Sequence, residues 1–302
     1  MTSYVMGIDF GSTTAKVVIL DADGNVVASS VSHKGAVSDD GVKAALKDAL
    51  TQAAIDLTSV KKVVSTGYGR RMLDIADRTI TEITCHARGA IALVPEARVV
   101  IDIGGQDSKV IAIDTNGLVS RFAMNDRCAA GTGKFLEVLA RAVNVELDHM
   151  GALALEATES VEITSMCATF AETEVISLLA EGRSKSVILA GVHRSIANRT
   201  VGLVGRVGKR DPIVMTGGVA QNIAAVHYLE KALQTTLIIP AGAQTAGALG
   251  AALFALDDLR NDGASKRKED QAVESKLEML LADTQRCAPA CGAKPAPVVF
   301  KA

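Results

Sequence analysis

The chain has 302 residues, 48% of them hydrophobic, with 26 glycines, 6 prolines and no tryptophan. That length accommodates two domains with separate cores, and the glycine-rich, aromatic-poor balance suits an α/β chain with many tight strand–helix turns. A formal net charge of −2 leaves no basic footprint for nucleic acid, no run approaches the roughly 18 apolar residues of a membrane span, and the opening MTSYVMGIDFG does not read as a signal peptide, so a cytoplasmic protein is expected.

The first predicted element is a hairpin in residues 7–27, GIDFGSTTAKVVILDADGNVV, and it returns in residues 101–119, IDIGGQDSKVIAIDTNGLV. Asp9 matches Asp102, Gly11 matches Gly104, Lys16 matches Lys109, Asp21 matches Asp114 and Gly24 matches Gly117, at a constant offset of 93 residues. Each copy reads as an apolar strand ending in Asp-x-Gly, a polar turn, a β-branched strand, and an Asp-x-x-Gly turn into a third strand. The small residues of GSTT and GGQD let backbone N–H groups and hydroxyls approach phosphate oxygens. The strand-end aspartates suit Mg²⁺ held through water, because magnesium keeps much of its hydration shell. Two such hairpins facing each other would grip a polyphosphate from both sides.

Between the repeats, TGYGR (66–70) is a glycine-rich turn expected at a cleft or an interface. EITCHARGA (82–90) opens a helix in which Cys85 is expected to be structural and His86 to lie near the interdomain cleft. Beyond the second repeat, NDRCAAGTGKF and SMCATFAETEVISLL each place a cysteine, Cys128 and Cys167, before a small-residue stretch and a helical pattern. In a reducing compartment the five cysteines are expected as thiols, suited to ligation or catalysis rather than to disulfides. On the pattern alone, Cys128 and Cys167 read equally as buried free cysteines or as ligands. PIVMTGGVAQN (212–222) is a buried strand running into Gly217-Gly218 and a helix, where backbone passes close to a nucleoside.

These elements together resemble the actin, sugar kinase and heat-shock chaperone ATPase superfamily. GIDFGSTTAK is similar to its first phosphate motif, DIGGQDSK to its second, MTGGVAQN to its adenosine motif, and AGALGAALFA (246–255) to the helix that crosses between its domains. The Walker pattern GxxxxGK[ST] is absent from the sequence. MNDRCAAGTGKFLE, SMCATFAETEVISLL, GVHRSIANR and TGYGR narrow the resemblance, over residues 4–258, to the activators of 2-hydroxyacyl-CoA dehydratases and the ATPase subunits of benzoyl-CoA reductases, the BadF/BadG/BcrA/BcrD type.

The resemblance implies a two-domain, duplicated actin/sugar-kinase-like (ribonuclease H-like) α/β fold. Domain I would take residues 1–97 plus 245–260 and domain II residues 98–244; beyond the part the resemblance covers, the composition of residues 261–302 reads as a charged linker and a flexible tail. It implies binding of ATP and ADP with Mg²⁺, the metal at Asp9 and Asp102. Ser12, Thr13, Thr14 and Lys16 would contact phosphate, with Gly11, Gly104 and Gly105 in the turns and Gly217, Gly218 and Gln221 at the adenosine. Gln106, Asp107 and Asp102 are the catalytic candidates, the first two for orienting water. It further implies one four-iron–four-sulfur cluster per dimer, ligated by Cys128 and Cys167 of each subunit, since two thiols per chain become four across a two-fold contact. The helix starts that follow both cysteines would stabilise thiolates.

The implied partners are a second copy or a related ATPase subunit, a 2-hydroxyacyl-CoA dehydratase or benzoyl-CoA reductase as electron acceptor, and ferredoxin or flavodoxin as donor. The rival reading is a small-molecule kinase of the same superfamily, with Asp102 or Asp107 as base. A kinase gives no reason for cysteines ahead of two helices. Cys287 and Cys291, in the C-x₃-C of the tail, are expected to be incidental thiols.

Overall fold

The computed structural model describes residues 3–33, 40–125, 130–164 and 167–262; Cys128, Cys287 and Cys291 lie outside them. Two five-stranded sheets carry the two repeats. The first consists of β1 (Tyr4–Phe10), β2 (Ala15–Asp21), β3 (Val26–Ser32), β4 (Val60–Thr66) and β5 (Arg78–Thr79), in the order β3-β2-β1-β4-β5. The second consists of β6 (Val99–Ile103), β7 (Ser108–Ile113), β8 (Val119–Asn125), β9 (Ile213–Thr216) and β10 (Leu237–Ile238), in the order β10-β9-β6-β7-β8. Read from the other edge, this is the same topology, with an antiparallel hairpin on one side and parallel strands on the other.

The duplication extends to the register. Asp9 pairs with Lys16 across β1–β2, and Asp102 with Lys109 across β6–β7. The first turn of each hairpin is closed by matching bonds, Gly11 N to Thr14 O at 3.0 Å and Gly104 N to Asp107 O at 2.9 Å. The second turns also match, with Asp21 and Asp114 each accepting backbone N–H groups at Oδ1. Their glycines, Gly24 and Gly117, sit at φ of +97° and +77°, in the left-handed region open to a residue without Cβ.

Strand β1 is an almost unbroken apolar run because both its faces are covered. Met6, Ile8 and Phe10 face α1 (Asp40–Ala53), which presents Val42, Ala45, Leu46 and Ala49. Val5 faces the opposite way, to α8 (Ala246–Asp262) and its Ala248, Ala251, Ala252 and Ala255. Alternation of side chains along a strand makes this division unavoidable.

Helix α2 (Glu82–Leu93), assigned to the first domain by the boundary at residue 97, sets Ala87 and Ala90 against Val100, Ile111 and Ile113 of the second sheet. Its other side meets α8. An ideal Cβ on Gly89 would lie 1.9 Å from Ala246 O, and one on Gly250 would lie 1.8 Å from Cys85 O, so this contact is backbone on backbone. The far face of the second sheet carries a helical layer: α3 (Gly133–Ala142), α4 (Leu147–Leu155), α5 (Ala168–Ala180), α6 (Lys185–Val207) and α7 (Ile223–Leu233). No helix among the described residues is long and apolar enough to cross a membrane.

A methyl group at the helix crossing has only backbone to push against. Gly250→Ala is expected to destabilise the chain by about 1–3 kcal/mol, read as a lowered denaturation midpoint; an unchanged midpoint would mean the helices separate at no cost.

Candidate nucleotide cleft and thiol site

The hairpin turns meet. An ideal Cβ on Gly105 would fall 2.1 Å from Thr13 Oγ1, so the second phosphate turn rests directly on the first. Between the sheets lies a cleft of about 770 Å³. Every sequence-derived nucleotide candidate lines it: Asp9, Gly11, Ser12, Thr13, Thr14 and Lys16 from the first repeat; Asp102, Gly104, Gly105, Gln106 and Asp107 from the second; and Gly217, Gly218 and Gln221. Gly217 is held at φ of +87° with its N–H on Ala243 O at 3.0 Å, and a Cβ there would meet Ile103 O at 2.4 Å. Gln221 Nε2 donates to Gln244 Oε1 at 2.8 Å, bracing that wall.

The floor is a web of buried charge. Asp9 Oδ2 pairs with Lys16 Nζ at 2.9 Å. Asp102 has partners at both oxygens: Thr216 Oγ1 donates to Oδ1 at 3.0 Å, His86 Nδ1 lies 3.1 Å from Oδ1, and Lys109 Nζ lies 3.3 Å from Oδ2. The His86 contact is an ion pair that falls short of an aligned hydrogen bond. Lys109 also reaches Asp107 at 2.7 Å and Glu82 at 3.1 Å.

Burial alone would raise the two aspartates, yet both are held low: Asp9 by Lys16 and His86, Asp102 by His86 and Lys109. Burial would likewise lower His86 and Lys109, but the surrounding carboxylates raise both, Asp102 foremost. For Glu82 burial wins, and its carboxyl is pushed up despite Lys109.

The two repeats have therefore diverged. Lys16 remains beside the first turn with one carboxylate and a partly open side chain, whereas Lys109 is enclosed by Asp102, Asp107 and Glu82. Asp102, expected at the metal, meets the cleft with its oxygens already engaged by protein groups. Sequence reasoning placed His86 near the cleft but missed Glu82, Thr216, Lys134, Glu137 and Gln244, all but Thr216 lining it. Glu82 was within reach, since one helical turn puts positions 82 and 86 on one face.

Cys167 is exposed and occupies the N-cap of α5, with extended φ and ψ of −89° and 137°. The backbone N–H groups of Thr169 and Phe170 hold its thiol below the ordinary cysteine value. Cys85 is the opposite: buried, it is pushed up to about 12, as suits a structural thiol. In the other cysteine segment a small-residue turn precedes the helix. The helix following Cys128 starts only at Gly133, because Gly131 adopts a φ of +88° and Thr132 is extended. Cys128 itself lies outside the described residues. Among those residues no three metal-ligating side chains gather.

Residues 6–255 match the BadF/BadG/BcrA/BcrD ATPase family. The chain belongs to that family. It is 46% identical to the activator of lactoyl-CoA dehydratase of Anaerotignum propionicum, over 84% of this chain and 98% of that one. A benzoyl-CoA reductase subunit of Thauera aromatica is 32% identical, over 89% of this chain and 98% of that one. A solved structure, the activator of the 2-hydroxyisocaproyl-CoA dehydratase from Clostridium difficile with bound ADPNP, superposes with a TM-score of 0.84 at 42% identity, covering 88% and 98%. Sugar kinases at 13% and 16% identity, with TM-scores of 0.51 and 0.52, share the fold alone. The architecture is thus the actin-like ATPase fold, as its duplicated hairpins foretell.

Two measurements check the electrostatics. Asp102 titrates in the folded chain below its ordinary 3.8, so its stabilisation is complete above about pH 4 and is lost on acidification; Lys109 titrates above its ordinary 10.5, so its contribution is complete below that value and is lost as pH rises. Lys109→Met removes the cation shared by three carboxylates, Asp102, Asp107 and Glu82, and is expected to cost about 3–5 kcal/mol in denaturant unfolding at neutral pH; a loss under about 1 kcal/mol would show that the web does not sustain the fold. Thiol alkylation at neutral pH is expected to modify Cys167 long before Cys85, and to persist at Cys167 below the pH at which an ordinary cysteine stops reacting. Similar rates at both would contradict the assigned environments.

Proposed function

We propose that this chain hydrolyses ATP to drive a low-potential electron into an acyl-CoA dehydratase or aromatic acyl-CoA reductase. The carrying observation is the presence, in one domain, of a phosphate turn and an exposed thiol, Cys167, at the N-cap of α5. In this reading Ser12, Thr13, Thr14 and Lys16 hold phosphate oxygens, and Gly217, Gly218 and Gln221 flank the adenosine. Asp9, with one carboxylate oxygen paired to Lys16, and Asp102, whose oxygens are engaged by protein groups, are the residues that would hold magnesium, Asp102 by way of water. Gln106 is exposed at the turn, while Asp107 is tied to Lys109, so Gln106 is the residue better placed to orient the attacking water and Asp107 supports it.

Cys167 is suited to the iron–sulfur group that the family resemblance implies. Cys167 offers an accessible, acidified thiol, and with Cys128 a two-fold pair of chains supplies the four thiolates that such a cluster takes. When bound, a four-iron cluster supplies the one-electron reductant. In the first turn of α5, next to Cys167, Phe170 is left exposed at 68%, an apolar side chain that a second copy would cover. The identities favour a 2-hydroxyacyl-CoA dehydratase over a benzoyl-CoA reductase as acceptor, 46% against 32%. Ferredoxin or flavodoxin would return the electron, in the cytoplasm, where thiols stay reduced.

The deciding experiment is iron and acid-labile sulfide per chain after anaerobic purification, together with native mass, for the wild type, Cys128→Ala and Cys167→Ala. About two irons per chain in a dimer, lost in both variants, is the expected result. An iron-free chain that phosphorylates a small molecule would replace this reading with the kinase.

A further inference from the structure

A helix ordinarily leaves its first N–H groups without helical partners, and anions gather there for that reason. In α3 those groups are already taken. Gly133 N donates to Gly104 O at 2.9 Å and Lys134 N to Gly105 O at 2.8 Å, while Phe135 N and Leu136 N both turn back to Thr132 O. The first two acceptors are carbonyls of the second phosphate turn. Just upstream, Ser108 Oγ donates to Gly131 O at 2.8 Å, a buried bond that pins the same segment to the base of the hairpin. The fit is close, since an ideal Cβ on Gly133 would stand 3.2 Å from Gly104 O and 3.4 Å from Gly105 Cα.

Peptide geometry gives this docking a consequence. In a trans peptide the C=O and the following N–H point in opposite directions, and the cis bond found among the described residues is Asp211–Pro212, far from the turn. Carbonyls of Gly104 and Gly105 aimed at α3 therefore direct the N–H groups of Gly105 and Gln106 away from it. Both residues line the cleft, and neither amide has a protein acceptor among the described residues. Consecutive amides so directed are the donors that a terminal phosphate oxygen takes. At its other side α3 packs on α5: Phe135, Leu136 and Leu139 share a core with Ala171 and Val175, and α5 begins at Cys167.

We propose that α3 is the mechanical link between the nucleotide and the thiol. Its first two amides fix the peptide planes of the phosphate turn. When the terminal phosphate leaves, the Gly105 and Gln106 amides lose their acceptor, the planes turn, and α3 shifts with them, carrying α5 and Cys167. Gly133 and Lys134 are positioning residues here, acting through the main chain. This deepens the electron-transfer reading and rests on it for its purpose, because it supplies the route from hydrolysis to a cluster ligand.

The test uses the full-length chain, stripped of iron with a chelator and saturated with either ADP or a non-hydrolysable ATP analogue. Alkylation of Cys167 is followed by peptide mass spectrometry. The wild type is expected to show rates that differ by about fivefold between the two nucleotides, the equilibrium worth of one such hydrogen bond. Gly133→Pro removes one amide at a helical position that tolerates proline, and is expected to bind both nucleotides yet alkylate at equal rates. If that variant does not fold, Ser108→Ala frees Gly131 alone and is expected to bring the ratio toward one. Equal rates in the wild type, or a wild-type ratio kept by the variant used, would overturn the link. Because the protein is stripped, the result does not depend on iron: a chain that never binds iron sinks the electron-transfer reading and leaves this link to stand or fall separately.

Discussion

Asp102 is a charged carboxylate with 1% of its surface exposed, and the arrangement of the molecule follows from what that charge requires. An unpaired carboxylate in such a setting costs several kcal/mol, so its compensation must arrive from fixed positions. Lys109 comes from the neighbouring strand β7, Thr216 from β9 on the other side, and His86 from α2 above. His86 also acts on Asp9 of the first sheet, so one imidazole serves both repeats. These are the elements that form the cleft floor. Holding the fold together and shaping the site are therefore one set of interactions, and neither can be altered alone.

The divergence of the two repeats follows the same logic. Each keeps an aspartate opposite a lysine, as the register demands. In the second copy the addition of Asp107 and Glu82 surrounds the lysine with carboxylate, converting it from a potential phosphate ligand into structure. The first copy has no such additions around Lys16, which stays partly open to the cleft. A single ancestral hairpin thus supplies a contact for the ligand on one side and a brace on the other.

Much of this was legible in the sequence. Five identities at one spacing forced a shared register, and Gly217-Gly218 after a buried run marked a backbone that approaches a ligand. Cys167 followed by ATFAETEV announced a helix start, because a small-residue opening with apolar positions at helical spacing has few other solutions. The anchoring of α3 was not legible. In CAAGTGKF the small residues mark a turn ahead of the helix, but the carbonyls of Gly104 and Gly105 that hold its first amides come from outside the segment. The partners of His86 and Glu82 were obscured for the same reason, since they belong to strands remote in sequence.

The crossing of α2 and α8 carries one more consequence. Helices usually lock through side chains, ridges of one seated in grooves of the other, which fixes their position along the axis. Where Gly89 meets Ala246 and Gly250 meets Cys85, main chain lies against main chain and that gearing is missing at the point of closest approach. Contacts of this kind resist separation, because each helix fills the space the other leaves, yet they offer little to oppose sliding. At that point the seam favours shear of the two sheets over the swing of a door, with the exposed Arg88–Asp257 pair as a tether across it.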